Sequence, residues 1–255
     1  MNGDLSCIVN HEARLRADPC LCPPGRRVRR FPIRWLRYWF VHQLLLAEQQ
    51  RQQRPLTVCE VGISNGEMLR FMNAVGAPMW SRWVGVDCAL QHDTLKGLGY
   101  AALNEADLQS SVSWCDAGYD ALVLLHVLEH LREPEPAVAR LAAAMRPGAV
   151  LIGGYPSVPD WCVEIRERQI RKTALPHGHV SVFSPRRTRA MAAAAGLGVE
   201  FLAGAFCVRA GGFVLEDFEW WTRFNLGFGR LVPSWPGEIY WVMRKPRDGN
   251  TNGLV

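Results

Sequence analysis

Residues 119–157 of the chain read YDALVLLHVLEHLREPEPAVARLAAAMRPGAVLIGGYPS. The apolar run at 119–128 predicts a buried strand that leads into a polar turn. Pro134 and the apolar positions after it predict a helix, because proline is favoured in the first helical turn. A Pro-Gly pair ends that helix, and the apolar run at 149–155 predicts a second strand. This order is typical of parallel strands joined by a crossover helix.

The same alternation continues on both sides of this unit. Further strands are predicted at TVCEVGI (57–63), WVGVD (83–87), VEFLAGAFCV (199–208) and EIYWVMRK (238–245). Further helices are predicted from Gly66 to Val75, closed by Gly76, and from the Ser184-Pro185 cap to Gly196. We therefore expect an α/β fold: a Rossmann-like, doubly wound, mostly parallel seven-stranded sheet with helices on both faces and an antiparallel last strand.

The start of the chain differs from the rest in charge. Residues 1–55 contain ten arginines and four acidic residues, a net of +6, so the remainder sums to about −1 of the formal total of +5. A nucleic-acid surface is therefore not expected on the main domain. Proline and glycine predict irregular chain in 1–30, and apolar spacing predicts a helix at 33–50. We expect a basic extension with a cap helix (1–54) and one domain (55–255).

Cysteine usage and hydropathy predict a cytoplasmic protein. No apolar run reaches the roughly 20 residues that span a bilayer, and the first residues lack the apolar core of a signal peptide. The eight cysteines are then expected to be reduced thiols. Cys7, His11, Cys20 and Cys22 include the residue types of a zinc site, but a Cys-x-Cys pair lacks the usual spacing. We expect no metal site.

The loop after the first predicted strand runs from Glu60 to Gly66 and reads EVGISNG. Gly62 and Gly66 allow a tight turn and the close approach of a ligand to the backbone. The dinucleotide fingerprint G-x-G-x-x-G would need glycine where Ser64 and Glu67 stand, which argues against a nicotinamide-dependent oxidoreductase. Glu60, at the strand end, suits a ligand with a cationic end.

Two more acids follow the next elements. Asp87 ends WVGVD, where a carboxylate can accept hydrogen bonds from both hydroxyls of a ribose. Asp107 precedes the strand at 119–128 and suits an adenine amino group. Together with Glu60, these acids predict one ligand with a cationic end, a ribose and an adenine.

From about Thr57 to Glu200 the chain resembles the class I S-adenosylmethionine (SAM)-dependent methyltransferases, particularly the small-molecule branch related to ubiquinone biosynthesis. VCEVGISNGEML resembles the family's first motif, WVGVD its ribose-binding acid, and EADLQ its adenine-contacting acid. The stretch at 119–157 resembles the signature of strand, Leu-Glu-His turn, helix and strand, and HGHVSVFSPRRTRAMAAAAGLGVE resembles the segment that follows.

The resemblance implies SAM as cofactor, bound by Glu60, Gly62, Ser64, Gly66, Asp87, Asp107, Leu108 and His126. Ser64 departs from the pattern, since many members have glycine there. The side chain crowds the loop, which bears on cofactor affinity rather than on the fold.

The resemblance also places His126 beside the transferred methyl group. Transfer from a sulfonium needs alignment of the acceptor and, for a hydroxyl, a base, for which histidine is suited near neutral pH. His126, His130 and His177 are the candidate catalytic residues, and His179 and Tyr155 are candidates for the acceptor site. A structural role of His130 in its turn is equally open, and the two histidines at 177 and 179 are alternatively plain loop residues.

Two aromatic segments lie outside these motifs. Residues 26–46 predict a helix that caps the cofactor cleft, with contact to an anionic membrane surface, a nucleic acid or a protein partner as alternatives. We expect no nucleic-acid partner. The aromatic insert at about 212–237 predicts a Trp-rich helix that walls an acceptor pocket or forms a homodimer surface, while core packing is the alternative for Trp220 and Trp221.

We therefore expect methyl transfer from SAM to a small-molecule or glycan-type acceptor at an oxygen atom. Two alternatives stay open. One is a SAM-binding pseudoenzyme that acts as an interaction module, and the other is a methyltransferase for a membrane-associated lipid acceptor.

Overall fold

The computed structural model describes residues 4–25, 27–76, 79–110, 112–115, 118–172, 178–208 and 211–247. Its centre is a seven-stranded sheet with strand order β3-β2-β1-β4-β5-β7-β6. The strands are β1 (Leu56–Val61), β2 (Trp80–Asp87), β3 (Ala102–Glu105), β4 (Ala121–Leu125), β5 (Val150–Ser157), β6 (Gly198–Gly204) and β7 (Gly237–Arg244).

Parallel pairing joins β3, β2, β1, β4 and β5, and β7 runs antiparallel to both β5 and β6. The doubly wound, mostly parallel seven-stranded sheet with an antiparallel last strand is therefore confirmed. From β1 the chain continues outward to β2 and β3, and it then returns to form β4 on the other side of β1. The strand order therefore reverses between β1 and β4. The carboxyl ends of β1 and β4 flank that switch point, where open α/β sheets bind ligands.

Helices cover both faces of the sheet. They are α1 (Ser6–Asn10), α2 (Glu12–Ala17), α3 (Ile33–Gln52), α4 (Glu67–Val75), α5 (His92–Leu95), α6 (Pro134–Ala144), α7 (Val163–Lys172), α8 (Pro185–Ala194) and α9 (Glu219–Leu231). Three short 3₁₀ turns lie at Leu128–His130, Asp160–Cys162 and Val214–Asp217.

The predicted helix ends have the expected caps. The Oγ atom of Ser184 accepts a hydrogen bond from the backbone N–H of Arg187 at 3.2 Å, and Pro185 is the first residue of α8. Gly76 is left-handed, with φ of 73°, and its N–H donates to the Met72 carbonyl at the end of α4. A residue with a Cβ atom is strained in that conformation, which explains the glycine.

Several elements differ from the sequence prediction. The strand predicted at 119–128 ends at Leu125, because His126 is left-handed, with φ of 56°, and breaks the ladder. Residues 6–17, expected to be irregular, form α1 and α2, two helices too short for a periodic pattern to reveal. Helix α7 and the four-residue β3 had no predicted counterpart: α7 contains no buried residue, so no apolar stripe marks it.

Helix α3 belongs to the core of one sheet face. Its residues Trp35, Leu36, Trp39 and Phe40 are buried, and the Phe40 ring stacks on Tyr240 of β7 with centroids 4.1 Å apart. The short helices before α3 contribute to the same cluster of buried residues. The apolar side chains of α3, which a membrane-surface helix would insert into the lipid, are therefore packed against the sheet.

The opposite face has a separate core, in which α6 and α8 cover β4 and β5. Its buried members include Val138, Leu141 and Met191 from the helices and Leu122 and Leu151 from the strands. Alternate residues of β4 thus enter the two cores, as expected for a central strand. Among the described residues, no helix is both long enough and apolar enough to cross a membrane.

A buried carboxylate holds together the edge of the sheet opposite the switch point. Asp120, 1% exposed, accepts hydrogen bonds from both Nη atoms of Arg54 at 2.8 and 2.6 Å and from the Thr57 backbone N–H at 2.8 Å. Arg146 forms a further ion pair with it. The carboxylate therefore joins the segment after α3, the start of β1 and the turn after α6.

We predict that Asp120→Asn lowers the free energy of unfolding by about 3 kcal/mol, because the amide removes the charge that two guanidinium groups compensate. Chemical denaturation monitored by circular dichroism measures the change. The exposed Asp160→Asn is the control and should stay within about 0.5 kcal/mol of the wild type. Equal stability of both variants would contradict the assignment.

Candidate functional site

The loop between β1 and α4 turns at the carboxyl edge of the sheet. The N–H of Gly62 donates to the Val86 carbonyl at 2.7 Å, and the N–H of Gly66 donates to the Ile63 carbonyl at 2.7 Å. Gly62 is left-handed, with φ of 78°, and a Cβ atom there would lie 2.4 Å from a methyl group of Val127. The loop therefore requires glycine at this position for two independent reasons.

Asp87 fastens this loop to the end of β2. One oxygen, Oδ2, accepts the backbone N–H of Ser64 at 2.8 Å, and Oδ1 accepts the Ala89 N–H at 3.1 Å. A carboxylate offers about four lone-pair positions, so each oxygen can still accept a ligand hydroxyl. Ser64 itself is left-handed, with φ of 48°. The hydrogen bond from its N–H to Asp87 helps to hold that strained conformation.

Asp107 follows β3 on the same edge. Its neighbour Ala106 donates its N–H to the Asp87 carbonyl at 2.8 Å, which ties the ends of β2 and β3 together. The Asp107 side chain is exposed and accepts the Gln109 N–H at 2.8 Å, whereas Leu108 is buried. The structure thus brings the two predicted nucleoside acids to adjacent strand ends.

Glu60, at the end of β1, is a buried carboxyl group that forms no ion pair with the described residues. Its Oε2 atom accepts hydrogen bonds from the Trp83 indole N–H at 2.9 Å and the Tyr100 hydroxyl at 3.0 Å. Burial raises the pKa of Glu60 to about 8. A cationic ligand beside this group would stabilise its ionised form, because an opposite charge lowers the pKa of a carboxyl group.

A cavity of about 230 Å³ lies beside the glycine loop, and its lining does not include the predicted cofactor residues Gly66, Asp87, Asp107 and Leu108. It is lined by Arg34, Arg37, Tyr38, Glu60, Val61, Gly62, Ile63, Ser64, Glu67, Met68, Leu125 and His126. The sequence prediction identified Glu60, Gly62, Ser64 and His126 but not the polar residues of α3. Arg34, Arg37 and Tyr38 are spaced i, i+3 and i+4 in the aromatic first half of α3, and that polar stripe was the available signal.

The arginines of α3 form ion pairs at the cavity wall. Arg34 donates to Glu67 at 2.5 Å and to the Tyr38 hydroxyl at 3.2 Å. Arg37 donates to Glu238 of β7, which is 1% exposed, with Nε 3.0 Å from Oε1. The polar side of α3 therefore lies at the cavity, while its apolar side packs in the core.

His126 lies between two buried carboxylates. Its Nδ1–H donates to Glu129 Oε1 at 2.8 Å, and its Nε2 is 3.5 Å from Glu238 Oε2. Burial alone would lower the pKa of His126, but its contacts with Glu129 and Glu238 outweigh burial and raise it. A general base must be neutral before it accepts a proton. This geometry favours a positioning role for His126 over the predicted role of base.

The other predicted catalytic histidines lie apart from the cavity or outside the described residues. His177 is outside them. His130 is exposed, its Nδ1–H donates to the Gly178 carbonyl at 3.2 Å, and its ring lies 5.0 Å from that of His179. The ligand atoms of Glu129, His130 and His179 all lie within 4.8 Å of one another. The spacing of these three residues in the sequence does not predict their grouping.

Burial and interatomic distances bear on two further residues or groups from the sequence, Tyr155 and the cysteine-histidine group near the start of the chain. Tyr155, a candidate for the acceptor site, is fully buried, and its hydroxyl forms a 2.8 Å hydrogen bond with Thr188, so its role is structural. Within the described part of the chain, no three ligand atoms of Cys7, His11, Cys20 and Cys22 lie within 4.8 Å of one another. His11 instead contacts the Cys7 carbonyl oxygen through Nδ1 at 2.9 Å.

Comparison with known folds gives several similar structures. A protein assigned as a sarcosine dimethylglycine methyltransferase, from Galdieria sulphuraria, has a TM-score of 0.57 and 15% identity over 83% of this chain and 85% of its own. A SAM-dependent methyltransferase from Mesorhizobium loti has a TM-score of 0.51 and 14% identity over 76% and 95%. The [4+2]-cyclase SpnF also matches, with a TM-score of 0.51 and 14% identity over 76% and 75%.

At such identities these structures establish the fold and not the reaction, as the cyclase illustrates. No protein of curated function matches the chain. A family model for the methyltransferase domain matches residues 27–200, which is more than half of the chain and includes α3, the glycine loop and both nucleoside acids. The chain therefore belongs to the methyltransferase domain family and is a methyltransferase that uses S-adenosylmethionine as its cofactor.

Proposed function

We propose that this enzyme transfers the methyl group of SAM to a hydroxyl oxygen of a small-molecule or glycan-type acceptor, and that the acceptor enters through a hollow next to the cofactor cavity. The hollow measures about 420 Å³ and is lined by Pro32, Ile33, Arg34, Arg37, Gly211, Gly212 and Glu216. The observation that carries the proposal is that Arg34 and Arg37 line both spaces. A molecule in the hollow therefore faces the cofactor across these two side chains.

In this proposal the SAM nucleoside binds along the sheet edge. Asp87 accepts the ribose hydroxyls, Asp107 accepts the adenine amino group, and Leu108 packs beside the adenine. The Gly62–Gly66 loop lies against the cofactor. The methionine end faces Glu60, whose buried carboxyl group is stabilised as an anion by the cationic ligand. The sulfonium supplies an activated methyl group, so the protein aligns the acceptor and receives its proton.

Glu216 is the candidate proton acceptor in the hollow. It is 5% exposed, its Oε2 accepts the Gly212 N–H at 3.2 Å, and burial raises its pKa to about 7. The charged groups around it are Arg29 and Asp217 on its own side and Arg34 and Arg37 of α3 across the hollow. A carboxylate with a pKa near neutrality is suited to take a proton from a hydroxyl group.

A lipid-linked acceptor is a second candidate, favoured by the surface of α9. Trp220, Phe224 and Leu231 are 59%, 53% and 83% exposed on one face of this helix, next to Arg223 and Arg230. Aromatic and basic residues on one helix face are typical of contact with an anionic membrane surface. We therefore propose this face, rather than residues 26–46, as the membrane contact, because the apolar side of α3 is buried.

We predict that SAM binds with micromolar affinity and that Asp87→Ala and Gly62→Val weaken binding at least tenfold. Asp87→Ala removes the acceptor of the Ser64 N–H, and valine at position 62 collides with Val127. Calorimetric titration with SAM and S-adenosylhomocysteine measures both effects. The exposed Asp93→Ala is the control and should bind as the wild type does. Unchanged binding in both site variants would refute this placement of the cofactor.

We predict that the methylation rate under kcat/KM conditions rises with pH through about 7, because Glu216 must be ionised to accept the proton. Glu216→Gln should lower the rate at least tenfold and flatten the profile between pH 6 and 8, while SAM affinity stays unchanged. The pH profile is measured as the rate of S-adenosylhomocysteine formation with pooled hydroxylated acceptors. The exposed Glu164→Gln is the control. A profile that is the same in wild type and Glu216→Gln removes Glu216 from this role.

We predict that the protein sediments with vesicles of phosphatidylcholine and phosphatidylglycerol and that the triple variant Trp220→Ala/Phe224→Ala/Leu231→Ala reduces the bound fraction at least fivefold. Trp161→Ala/Ile165→Ala, on exposed positions of another surface, is the matched control. Vesicle binding that is equal in both variants would exclude the α9 face. A wild-type dimer that the triple variant converts to a monomer would instead assign this face to a second copy of the chain.

A further inference from the structure

A group of three potential metal ligands lies beside the cofactor cavity but does not line it. Glu129 and His130 belong to the 3₁₀ turn that follows β4, and His179 lies in the segment before α8. One ligand atom from each residue lies within 4.8 Å of those of the other two. Glu129 and His130 are neighbours in sequence, and the fold brings His179 to them.

A second, independent observation concerns the buried carboxylate of Glu129. The residue is 1% exposed, and its Oε1 atom accepts the His126 Nδ1–H at 2.8 Å. Its other oxygen, Oε2, is buried and has no hydrogen-bond partner among the described residues. A buried polar atom without a partner costs free energy, and a cation offers this oxygen the interaction that the protein does not supply.

Hydrogen bonds to backbone groups hold the ring of His130 and the chain segment of His179 in place. His130 donates its Nδ1–H to the Gly178 carbonyl at 3.2 Å, which leaves the Nε2 lone pair of the neutral ring for a ligand bond. A metal-binding histidine usually donates its other N–H to such a carbonyl group. The N–H groups of Val180 and Ser181 both donate to the Glu129 carbonyl, at 2.8 and 3.1 Å. These bonds fix the segment of His179 against the turn of Glu129.

We propose that Glu129, His130 and His179 bind a divalent first-row metal ion of the zinc class. Two imidazoles and one carboxylate are ligands that suit Zn²⁺ and its neighbours, whereas Mg²⁺ and Ca²⁺ favour oxygen ligands alone. Three protein ligands leave at least one coordination position open. This departs from the sequence-based expectation that the chain has no metal site.

The position of the group relative to the cavity gives the metal ion its role. Glu129 contacts His126, and His126 lines the cofactor cavity. The metal ion therefore lies one side chain away from the cavity wall, where it fixes Glu129, the residue that holds the imidazole of His126. Metal binding itself is independent of the methyl acceptor.

The test uses full-length protein without a histidine tag, stripped with a chelator and then loaded with Zn²⁺ or Co²⁺. We expect one equivalent of metal after desalting, measured by mass spectrometry of the metal, and visible Co²⁺ absorption bands. His130→Ala and His179→Ala should each weaken binding at least tenfold. His92→Ala, an exposed histidine on α5, is the matched control and should bind as the wild type does.

SAM binding is the measure of correct folding in these variants, because neither His130 nor His179 lines the cofactor cavity. The proposal is overturned if the wild type retains less than about a tenth of an equivalent, or if both histidine variants bind metal as the wild type does. Loss of metal in Cys20→Ser instead of His130→Ala would also overturn it. None of these measurements uses an acceptor, so a wrong acceptor proposal leaves the result unaffected.

Discussion

The ion pair between Arg37 and Glu238 joins the two ends of the chain at the site. Arg37 lies on α3 and Glu238 near the start of β7, 201 residues apart, and the carboxylate is buried. Burial would raise the pKa of Glu238, but its contacts with His126 and the charge on Arg37 lower it, so it is an anion in the folded protein. A buried charge needs such compensation, and removing one partner is costly. Through this pair, α3 is fixed to β7 beside the cavity.

Several groups at the site are held in states that a free chain would avoid. Ser64 and His126 are both left-handed residues with a Cβ atom, and Glu60 is a carboxyl group whose pKa is raised to about 8. Each costs stability, and each is sustained by neighbours: the Asp87 carboxylate holds the N–H of Ser64, and Glu129 holds the imidazole of His126. Such strain concentrates where ligands bind. Here Ser64, His126 and Glu60 all line one cavity.

The sequence predicted what depends on local patterns and missed what depends on distant contacts. The sheet, α6, α8 and the glycine loop follow from apolar runs and from Pro, Gly and Ser signals, which act within a few residues. The pairing of Arg37 with Glu238 and the approach of His179 to Glu129 depend on the complete fold, and no spacing reveals them. Strand β3 and helix α7 lack the apolar runs that would mark them. The structure favours a different role for His126 than the sequence predicted for the same reason, because its carboxylate neighbours Glu129 and Glu238 lie on different elements.

The family match covers all residues that line the first cavity but only some of those that line the second hollow. The match ends at residue 200, so it covers the glycine loop, Asp87, Asp107 and the whole of α3. Gly211, Gly212 and Glu216, which complete the second hollow, lie beyond it, as does the exposed face of α9. The cavity beside the glycine loop is thus lined by residues within the family match, whereas the hollow that we propose for the acceptor also takes residues from the C-terminal segment. Under the proposed function, acceptor choice depends on how that segment packs against Arg34 and Arg37.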